Sequence, residues 1–310
     1  MADVVLMGTP SFAVPALRAL AAHHRVVGVV TQPDRRAGRG RRLVYSPVKE
    51  AALELGLPLF QPPTLRTAEA VRRLAAWQPE VIVVAAFGQI LRPPVLELPP
   101  FGCLNIHASL LPRYRGASPV AAAILAGEPF TRVSLMLMDE GMDTGPILAQ
   151  RTCSIAPEDT TGTLTGRLAE MGAQLLIETL PGWLAGAVQA QPQDANRATY
   201  CRLLRKEDGH LDWERSAAYL ERQIRACDPW PGAYTTWRGR RLKVLHARLW
   251  DGPLPGDTPG RVVDLSPGLG VLTGQGVLEL LEVQLAGKKP LPADTFVRGQ
   301  KELIGSILGS

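Results

Sequence analysis

The sequence has little of what marks secreted, metal-binding or membrane proteins. Its cysteines are few and scattered, at Cys103, Cys153, Cys201 and Cys227, and none forms a Cys-x-x-Cys pair. Neither a disulfide framework nor a zinc site is therefore expected. No apolar run approaches the length of a membrane span, and the N-terminal MADVVLMG leads into a strand without a basic signal region. We expect a cytoplasmic protein with no metal and no membrane partner.

Two common phosphate-binding motifs are also missing. Gly38-x-Gly40 lacks the third glycine of a dinucleotide fingerprint and lies among arginines, so we do not expect a nicotinamide site. No P-loop pattern occurs in the sequence. The histidines outside the stretch discussed below have no metal-ligand spacing, which favours surface or core positions for His23, His24, His210 and His246.

The positive charge of the chain is concentrated in one segment. The net charge is +5, and five arginines lie within eight positions that contain no acid, at Arg35, Arg36, Arg39, Arg41 and Arg42. The basicity is therefore local, which favours a specific anionic partner over general attraction to polyanions. A solvated loop without a partner is the alternative interpretation of this glycine- and arginine-rich segment, which we predict as a loop from Asp34 to Tyr45.

Alternating strand and helix patterns predict an α/β fold for the first part of the chain. Val4 to Gly8, an apolar helix from Phe12 to Ala22 and Val26 to Thr31 form a β-α-β opening, which favours a parallel sheet. The apolar run from Val81 to Ala86 predicts a strand that is buried on both faces. We expect a Rossmann-like, mostly parallel sheet.

A second domain is predicted where this pattern loosens. Residues 189–205 indicate a linker between a catalytic domain at 1–188 and a C-terminal domain at 206–310. Short β segments with turns follow from Tyr234 to Leu285 and predict a small β-barrel. The length of 310 residues is sufficient for two domains, each with a core.

An amide and an imidazole stand together in the middle of the chain. Cys103 to His107 has the composition of a short buried strand that ends at a Ser/Pro turn. Because side chains alternate along a strand, Asn105 and His107 should emerge on one face. Taken alone, this pair is as consistent with a hydrogen-bonded core pair as with a functional site.

A downstream carboxylate strengthens the functional interpretation. Val133 to Met138 predicts another strand, and the segment from Asp139 to Pro146 is too rich in Asp and Gly to continue it. Asp143 in such a loop can reach a histidine on a neighbouring strand and fix its tautomer. Asn, His and Asp without a Ser or Cys nucleophile beside them favour direct group transfer, in which Asn and His stabilise an oxyanion while Asp and His manage a proton.

At these residues the chain resembles a known family. NIHASLLPRYRGASP and DEGMDTGPIL are similar to the formyltransferases that use 10-formyltetrahydrofolate. Further similar stretches are VLMGTPSFAVPAL, TQPDRRAGRGRRLVYSPVK, VVAAFGQIL, DPWPGAY and AGKKPLPADTF, so the resemblance spans nearly the whole chain. Ala108 stands where Gly is common in the family, and this departure leaves the three polar residues intact.

The resemblance implies an activity and its alternatives. It implies that 10-formyltetrahydrofolate is the formyl-donating cosubstrate and that the α-amine of methionyl initiator tRNA is the acceptor. An amino-sugar formyltransferase with the same catalytic domain is the alternative enzyme, although a nucleotide sugar needs no arginine-rich arm. A non-catalytic RNA- or folate-binding protein would not require all three polar residues. The resemblance also implies an OB-like C-terminal fold, and we expect a monomer.

The resemblance assigns roles to individual residues. Asn105, His107 and Asp143 are implied to be catalytic. The segments implied to line the formyl-donor pocket provide Phe87, Gly88, Ile90, Leu91, Ser109, Leu110, Leu111, Pro112, Met138, Asp139 and Gly141. The predicted tRNA-binding residues are the arginines of the basic segment, with Arg240, Lys243, Lys288 and Lys289 of the C-terminal domain; a solvated barrel surface is an equally good interpretation of each of these last four.

Overall fold

The chain forms two compact units. A computed structural model describes residues 1–37, 42–253, 256–266 and 268–309. The first unit consists of Met1–Pro119, Phe130–Ser154 and Thr165–Cys201, and the second of Val120–Pro129, Ile155–Leu164 and Arg202–Ser310. The boundary between the two units after Cys201 lies inside the predicted linker at 189–205. The predicted domain bounds themselves remain predictions.

The strands and helices are defined as follows. The strands are β1 Asp3–Gly8, β2 Arg25–Val30, β3 Arg35–Ala37, β4 Arg42–Val44, β5 Leu59–Phe60, β6 Val81–Ala85, β7 Cys103–His107, β8 Arg115–Gly116, β9 Phe130–Leu137, β10 Ile147–Ser154, β11 Tyr200–Cys201, β12 Tyr234–Trp237, β13 Arg240–Leu249, β14 Val262–Asp264, β15 Leu269–Leu272, β16 Val277–Leu285 and β17 Leu291–Pro292. The helices are α1 Val14–His23, α2 Pro47–Glu54, α3 Ala68–Ala75, α4 Pro93–Leu96, α5 Pro119–Ala126, α6 Thr161–Leu184, α7 Ala217–Ala226 and α8 Ala293–Gly299.

The first unit is built on a seven-stranded sheet with the order β10-β9-β7-β6-β1-β2-β5. The pairs β1/β2, β1/β6, β6/β7 and β2/β5 are parallel, while β7/β9 and β9/β10 are antiparallel. Every residue of β6 and β7 is buried, as expected for central strands that are covered on both faces. The prediction of a mostly parallel α/β sheet is confirmed.

Side-chain caps set the starts of several helices. Ser46 accepts a hydrogen bond from the backbone N–H of Lys49 at the start of α2, and Thr67 does the same for Ala70 at the start of α3. These bonds satisfy N–H groups that have no partner inside the helix. The caps fix where the crossover helices begin, and so where the parallel strands return to the sheet.

The second unit contains an antiparallel sheet with the order β12-β13-β16-β15-β14, and β17 pairs with β16. One apolar cluster joins this sheet to its helices: Leu220 of α7, Val244 of β13, Val283 of β16 and Phe296 of α8 are all buried in it. The fold class predicted for the C-terminal part, a small β domain after the α/β domain, is confirmed.

The basic segment is not the loop that the sequence predicts. Residues Arg35–Ala37 and Arg42–Val44 form an antiparallel hairpin in which Arg35 is opposite Val44 and Arg36 is opposite Leu43. Leu43 and Val44 have high strand propensity, and backbone pairing between the two strands favours the hairpin over the loop that the composition indicates. Arg39 and Arg41 lie outside the described residues.

Candidate active site

The candidate site is at the carboxyl end of β7. In the register of the sheet, Asn105 lies opposite Val84 of β6 and Met136 of β9, and His107 lies opposite Ser134. Asn105 and His107 are two residues apart on one strand, so their side chains leave the same face, as predicted. Their exposed fractions are 9% and 8%. Ligands of open α/β sheets bind at this edge, beyond the carboxyl ends of the strands.

Asn105 offers unpaired polar groups. Within the described part of the chain, no hydrogen-bond partner is present for its side-chain amide, although the residue is nine-tenths buried. Its N and O atoms are not among the fully buried side-chain atoms without a partner, so the amide stays accessible to a ligand. A ligand that accepts a hydrogen bond would satisfy this amide, which makes the position suited to an oxyanion.

Both ring nitrogens of His107 face oxygen atoms. Nε2 lies 3.3 Å from the carbonyl oxygen of Tyr114. Nδ1 lies 3.7 Å from Oδ1 of Asp143, with both side chains largely buried. This second distance permits a charge interaction but exceeds that of a direct hydrogen bond. One water molecule could connect the two groups.

The carboxylate of Asp143 is held on its other side. Oδ2 accepts a hydrogen bond of 2.8 Å from the backbone N–H of Gly116. The backbone of Asp143 is left-handed, with φ of 54°, a conformation that Asp tolerates better than most residues. Two residues later, a Cβ on Gly145 would lie 1.8 Å from the carbonyl oxygen of Leu137, so only glycine fits there. The loop therefore presents Oδ1 toward His107.

Residues that sequence reasoning missed support this loop. The side chain of Gln193 donates from Nε2 to the carbonyl oxygens of Asp143 (2.9 Å) and Gly145 (2.7 Å). Its Oε1 accepts from the guanidinium of Arg115. Arg115 belongs to the stretch that carries the family resemblance. Gln193 lies in the predicted linker, where no pattern in the sequence indicates a role.

Three predicted donor-pocket residues line one cavity. A cavity of about 550 Å³ is bounded by Met138, Asp139 and Gly141 together with Leu96 and Leu137. Asp139 also organises the loop, because its Oδ1 accepts from the N–H of Gly141 (3.0 Å) and the hydroxyl of Thr144 (2.6 Å). The cavity lies between α4 and the loop that follows β9, which is also the loop that carries Asp143.

The predicted pocket residues that follow β6 divide into two groups. The side chains of Phe87 and Leu91 are buried in the core of the first unit, with exposed fractions of 2% and 4%. Ile90 is 64% exposed, and Gly88 has a φ of 83° in an exposed turn. Phe87 and Leu91 thus fix the turn that presents Gly88 and Ile90.

The predicted pocket residues after β7 form a tight turn. The backbone oxygen of Ser109 accepts from the hydroxyl of Ser134 (2.7 Å), and the oxygen of Leu111 accepts from the side chain of Gln150 (3.1 Å). Ser109 and Leu111 are buried. Leu110 and Pro112 are partly exposed, so they are the members of this turn with side-chain surface available to a ligand.

The basic hairpin is anchored at its start. The carboxylate of Asp34 accepts hydrogen bonds from Gln61 (2.9 Å) and from the ammonium of Lys49 (2.5 Å). These two bonds hold the pKa of Asp34 below its usual value, with Gln61 the larger cause. The ammonium of Lys49 also lies 3.7 Å from the ring centroid of Tyr45. Arg35 and the apolar residues of β4 that follow Arg42 are exposed beyond this anchor.

Four further predicted tRNA contacts lie in the second unit, at the start of β13 or in the turn after β16: Arg240, Lys243, Lys288 and Lys289. The guanidinium of Arg240 donates to the carbonyl oxygen of Ala286 (3.0 Å), which places it beside that turn. Lys243 is opposite Gln284 in the sheet, and the Gln284 side chain donates to the carbonyl oxygen of Lys288 (2.9 Å). The structure therefore places these cations near one end of the antiparallel pair β13/β16.

The described part of the chain contains neither a metal site nor a membrane-spanning helix. Within 1–37, 42–253, 256–266 and 268–309, no three His, Cys, Asp or Glu residues are grouped as a metal site requires. None of the helices described there has the length and apolar character needed to span a bilayer.

Family models match both parts of the chain. The model described as "Formyl transferase" matches residues 2–180, and that described as "Formyl transferase, C-terminal domain" matches residues 203–301. The first match contains β7 and the loop that carries Asp143. The class defined by the fold and the site is that of the formyltransferases.

One group of relatives is similar over nearly its full length. The methionyl-tRNA formyltransferase of Roseiflexus sp. (strain RS-1) is 52% identical over 308 residues, which cover 99% of this chain and 95% of that protein. This chain belongs to the methionyl-tRNA formyltransferase family.

Solved structures share the fold at low identity. WlaRD, described as a sugar 3N-formyl transferase, has a TM-score of 0.66 at 18% identity, with 93% of this chain and 99% of that chain covered. HypX from Aquifex aeolicus in complex with tetrahydrofolic acid has a TM-score of 0.63 at 19% identity, with 97% of this chain covered. The match spans 47% of the HypX chain, so this chain is about half as long as that protein. At these identities the structures show the fold alone.

Proposed function

We propose that this protein transfers the formyl group of 10-formyltetrahydrofolate to the α-amine of the methionine that is esterified to initiator tRNA. The observation that carries the proposal is the arrangement at the end of β7, where unpartnered Asn105 and buried His107 leave one strand face and Asp143 faces His107 at 3.7 Å. The 52% identity to a methionyl-tRNA formyltransferase supports the choice of acceptor.

The reaction requires one bond to form and one to break. The neutral amine attacks the formyl carbon to give a tetrahedral intermediate with a negatively charged oxygen. Asn105 donates its free amide N–H to that oxygen. Nε2 of His107, which lies 3.3 Å from the carbonyl oxygen of Tyr114, shares its N–H with the oxyanion as a second donor. The bond between the formyl carbon and N10 of the folate then breaks, and the proton lost by the amine balances the one gained by N10.

Asp143 serves the proton transfer in this proposal. Its Oδ2 is occupied by the N–H of Gly116, so Oδ1 is the oxygen available to His107 or to an intervening water. Through that water the carboxylate accepts the proton of the attacking amine, while its charge orients the imidazole. Holding two large substrates together adds to the rate, an effect worth roughly 7–11 kcal/mol when the geometry is good.

The donor is assigned to the cavity beside this loop. The cavity that includes Met138, Asp139 and Gly141 has about 550 Å³, a volume within the roughly 300–1,000 Å³ range of small-molecule sites. Exposed Ile90 and the partly exposed Leu110 and Pro112 supply apolar surface on neighbouring strand ends. We assign the pterin of the donor to this surface and its formyl group to the space beside Asn105.

The acceptor is assigned to basic surface on each unit. The arginines of the basic segment contact phosphates of the tRNA acceptor arm, and the cations beside β13 and β16 contact its backbone elsewhere. Arg39 and Arg41 are included in this assignment only because of their position in the sequence. The protein acts in the cytoplasm as a monomer.

A formyl-transfer assay tests the proposal. The enzyme is supplied with 10-formyltetrahydrofolate and either methionyl initiator tRNA or a nucleotide-linked amino sugar. We expect transfer to the tRNA, and loss of that transfer in the Asn105→Ala variant with folding unchanged. Transfer to the amino sugar without transfer to the tRNA would reject the proposed acceptor.

A further inference from the structure

Arg115 is a buried cation outside the proposed catalytic residues. It is 3% exposed, and in the part of the chain that the structure describes no carboxylate lies within salt-bridge distance of its guanidinium. Its partners are neutral: Oε1 of Gln193, which receives two N–H groups at 3.1 and 2.8 Å, and the hydroxyl of Tyr200 at 3.4 Å. Burial of a cation without an anion is costly, so this arrangement is expected to serve a purpose.

The amide of Gln193 is satisfied at both ends. Its oxygen faces Arg115, and its nitrogen donates to the carbonyl oxygens of Asp143 and Gly145. The guanidinium can only donate and the two carbonyls can only accept, so the orientation of the amide is fixed by its partners. A cation that polarises the amide oxygen also strengthens the bonds that the amide nitrogen donates.

Gly116, in the strand pair β8/β11, binds the second oxygen of the Asp143 carboxylate. β8 and β11 form a parallel pair in which Arg115 is opposite Tyr200 and Gly116 is opposite Cys201. A Cβ on Gly116 would lie 2.2 Å from the carbonyl oxygen of Cys201, so this close approach requires glycine. Gly116 is also the residue whose N–H binds Oδ2 of Asp143.

We propose that Gln193 is a positioning residue for the formyl-transfer reaction: fixed by buried Arg115, it holds the backbone of Asp143 so that the carboxylate faces His107. The inference rests on the proposed function, because it assumes that Asp143 takes part in the chemistry. Without the two bonds from Gln193, the left-handed backbone at Asp143 loses an interaction that offsets its strain. The carboxylate can then move while Gly116 still binds one of its oxygens.

Glutamine fits the position better than residues of similar size. Glutamate would pair with Arg115 but would place an anion against two carbonyl oxygens. Methionine has nearly the same length and fills the same space, but it forms no comparable hydrogen bonds. Gln193→Met and Gln193→Glu therefore remove the same two donated bonds by different routes, and Gln193→Glu retains a partner for the buried cation.

The chain supplies a matched control. Gln191 is two residues away, its backbone pairs with Ile147, and its side chain is exposed without a hydrogen bond to any described residue. We expect Gln193→Met and Gln193→Glu to lower kcat by about 10- to 100-fold, because a shift of about 1 Å in a reacting group has effects of this size. KM for methionyl-tRNA and for the folate donor should change by less than about twofold, since neither substitution removes a group that touches a substrate. Gln191→Met should leave kcat unchanged.

A double-mutant cycle with Asp143→Ala separates positioning from a general structural role. If Gln193 acts through Asp143, Gln193→Met should lower kcat by less than about twofold in the Asp143→Ala background. A full 10- to 100-fold loss in that background would assign Gln193 a role independent of Asp143 and overturn the inference. Normal kcat in both Gln193 variants, with a loss in Asp143→Ala, would overturn the inference and leave the proposed function intact. Normal kcat in Asp143→Ala would reject both.

Discussion

The Asp143 corner, which consists of His107, Asp143, Gly116 and Gln193, and the basic hairpin hold their charges in opposite environments. His107 and Asp143 are largely buried, and Asp143 is fixed by Gly116 and by the amide of Gln193. Arg35 is exposed, and it belongs to a run of five arginines within eight residues. Charges in the corner act over short distances in a low dielectric, where geometry decides their effect. Charges on the hairpin act through water and ions, so the number of charges and the salt concentration decide the size of their effect.

The contrast between the two regions indicates where substitutions should act. Loss of one group in the corner should change the rate of the chemical step at every salt concentration. Loss of charge on the hairpin should change the affinity for a polyanion, and that change should shrink as salt rises. A variant that behaves in the opposite way would show that one of the two regions has been misassigned.

The largest effects are expected from Asn105→Ala and His107→Ala. Each should lower kcat by about two to three orders of magnitude, because it removes a donor to the oxyanion or a group that manages the proton. Steady-state kinetics at low and high salt should give the same fractional loss. If either variant kept near-normal kcat and an intact fold, the role assigned to the replaced residue would be wrong.

Asp143→Asn should have a somewhat smaller effect. The amide can still occupy the position beside Gly116, but it cannot accept a proton or place a negative charge opposite His107. We expect kcat to fall by about one to three orders of magnitude and the dependence of kcat on pH to change shape. An unaltered pH–rate profile would remove Asp143 from the proton transfer.

Replacement of Arg39, Arg41 and Arg42 by alanine tests the hairpin. KM for methionyl-tRNA should rise by about 10-fold, because each arginine that no longer binds a phosphate also no longer releases counterions. The log–log slope of affinity against salt should flatten by about 0.7 to 0.9 for each phosphate that the variant fails to neutralise, while KM for the folate donor stays constant.

An equal loss of charge elsewhere serves as the control. Arg66, Arg72 and Arg92 are exposed on the first unit. Their joint replacement by alanine should leave the salt slope nearly unchanged if the hairpin contacts are specific. Equal slopes in the two triple variants would favour a general effect of net charge.

Lys288→Ala with Lys289→Ala should produce a smaller change. Both side chains are exposed in the turn after β16. Two cations at the edge of a larger surface predict a rise of about two- to threefold in KM for methionyl-tRNA, again reduced by salt. No rise at low salt would identify this turn as ordinary solvated surface.

The smallest effect is expected at Asp34, which anchors the hairpin. Hydrogen bonds from Gln61 and Lys49 lower its pKa, so the folded state favours the charged carboxylate. The stabilisation is present above the ordinary pKa near 4 and is lost as the pH falls through the lower pKa of the folded state. In denaturant unfolding, Asp34→Asn should therefore be less stable than the parent at pH 7, and the difference should shrink at acid pH. A difference that does not depend on pH would assign the effect to packing.

Much of the fold followed from local pattern. The apolar run at β6 and the short strand β7 were predicted within a residue or two of their bounds, because burial and periodicity act over a few neighbouring positions. The prediction of a loop for the basic segment was wrong, because composition favoured a loop while cross-strand pairing decided the outcome. The predicted donor segments follow β6, β7 and β9, and their role in donor binding stays a prediction; the side chains of Phe87 and Leu91 are buried in the core of the first unit.

By itself the sequence determined the chemical groups and the scaffold: an amide and an imidazole two positions apart on a buried strand, a carboxylate in a glycine-rich turn, and a local excess of arginine. The tertiary structure alone decided how the carboxylate is held. Gln193 reaches Asp143 across 50 residues of chain, and Tyr200 stands beside Arg115 across 85. Such contacts depend on the packing of strands that are distant in sequence, and no local propensity or spacing encodes them.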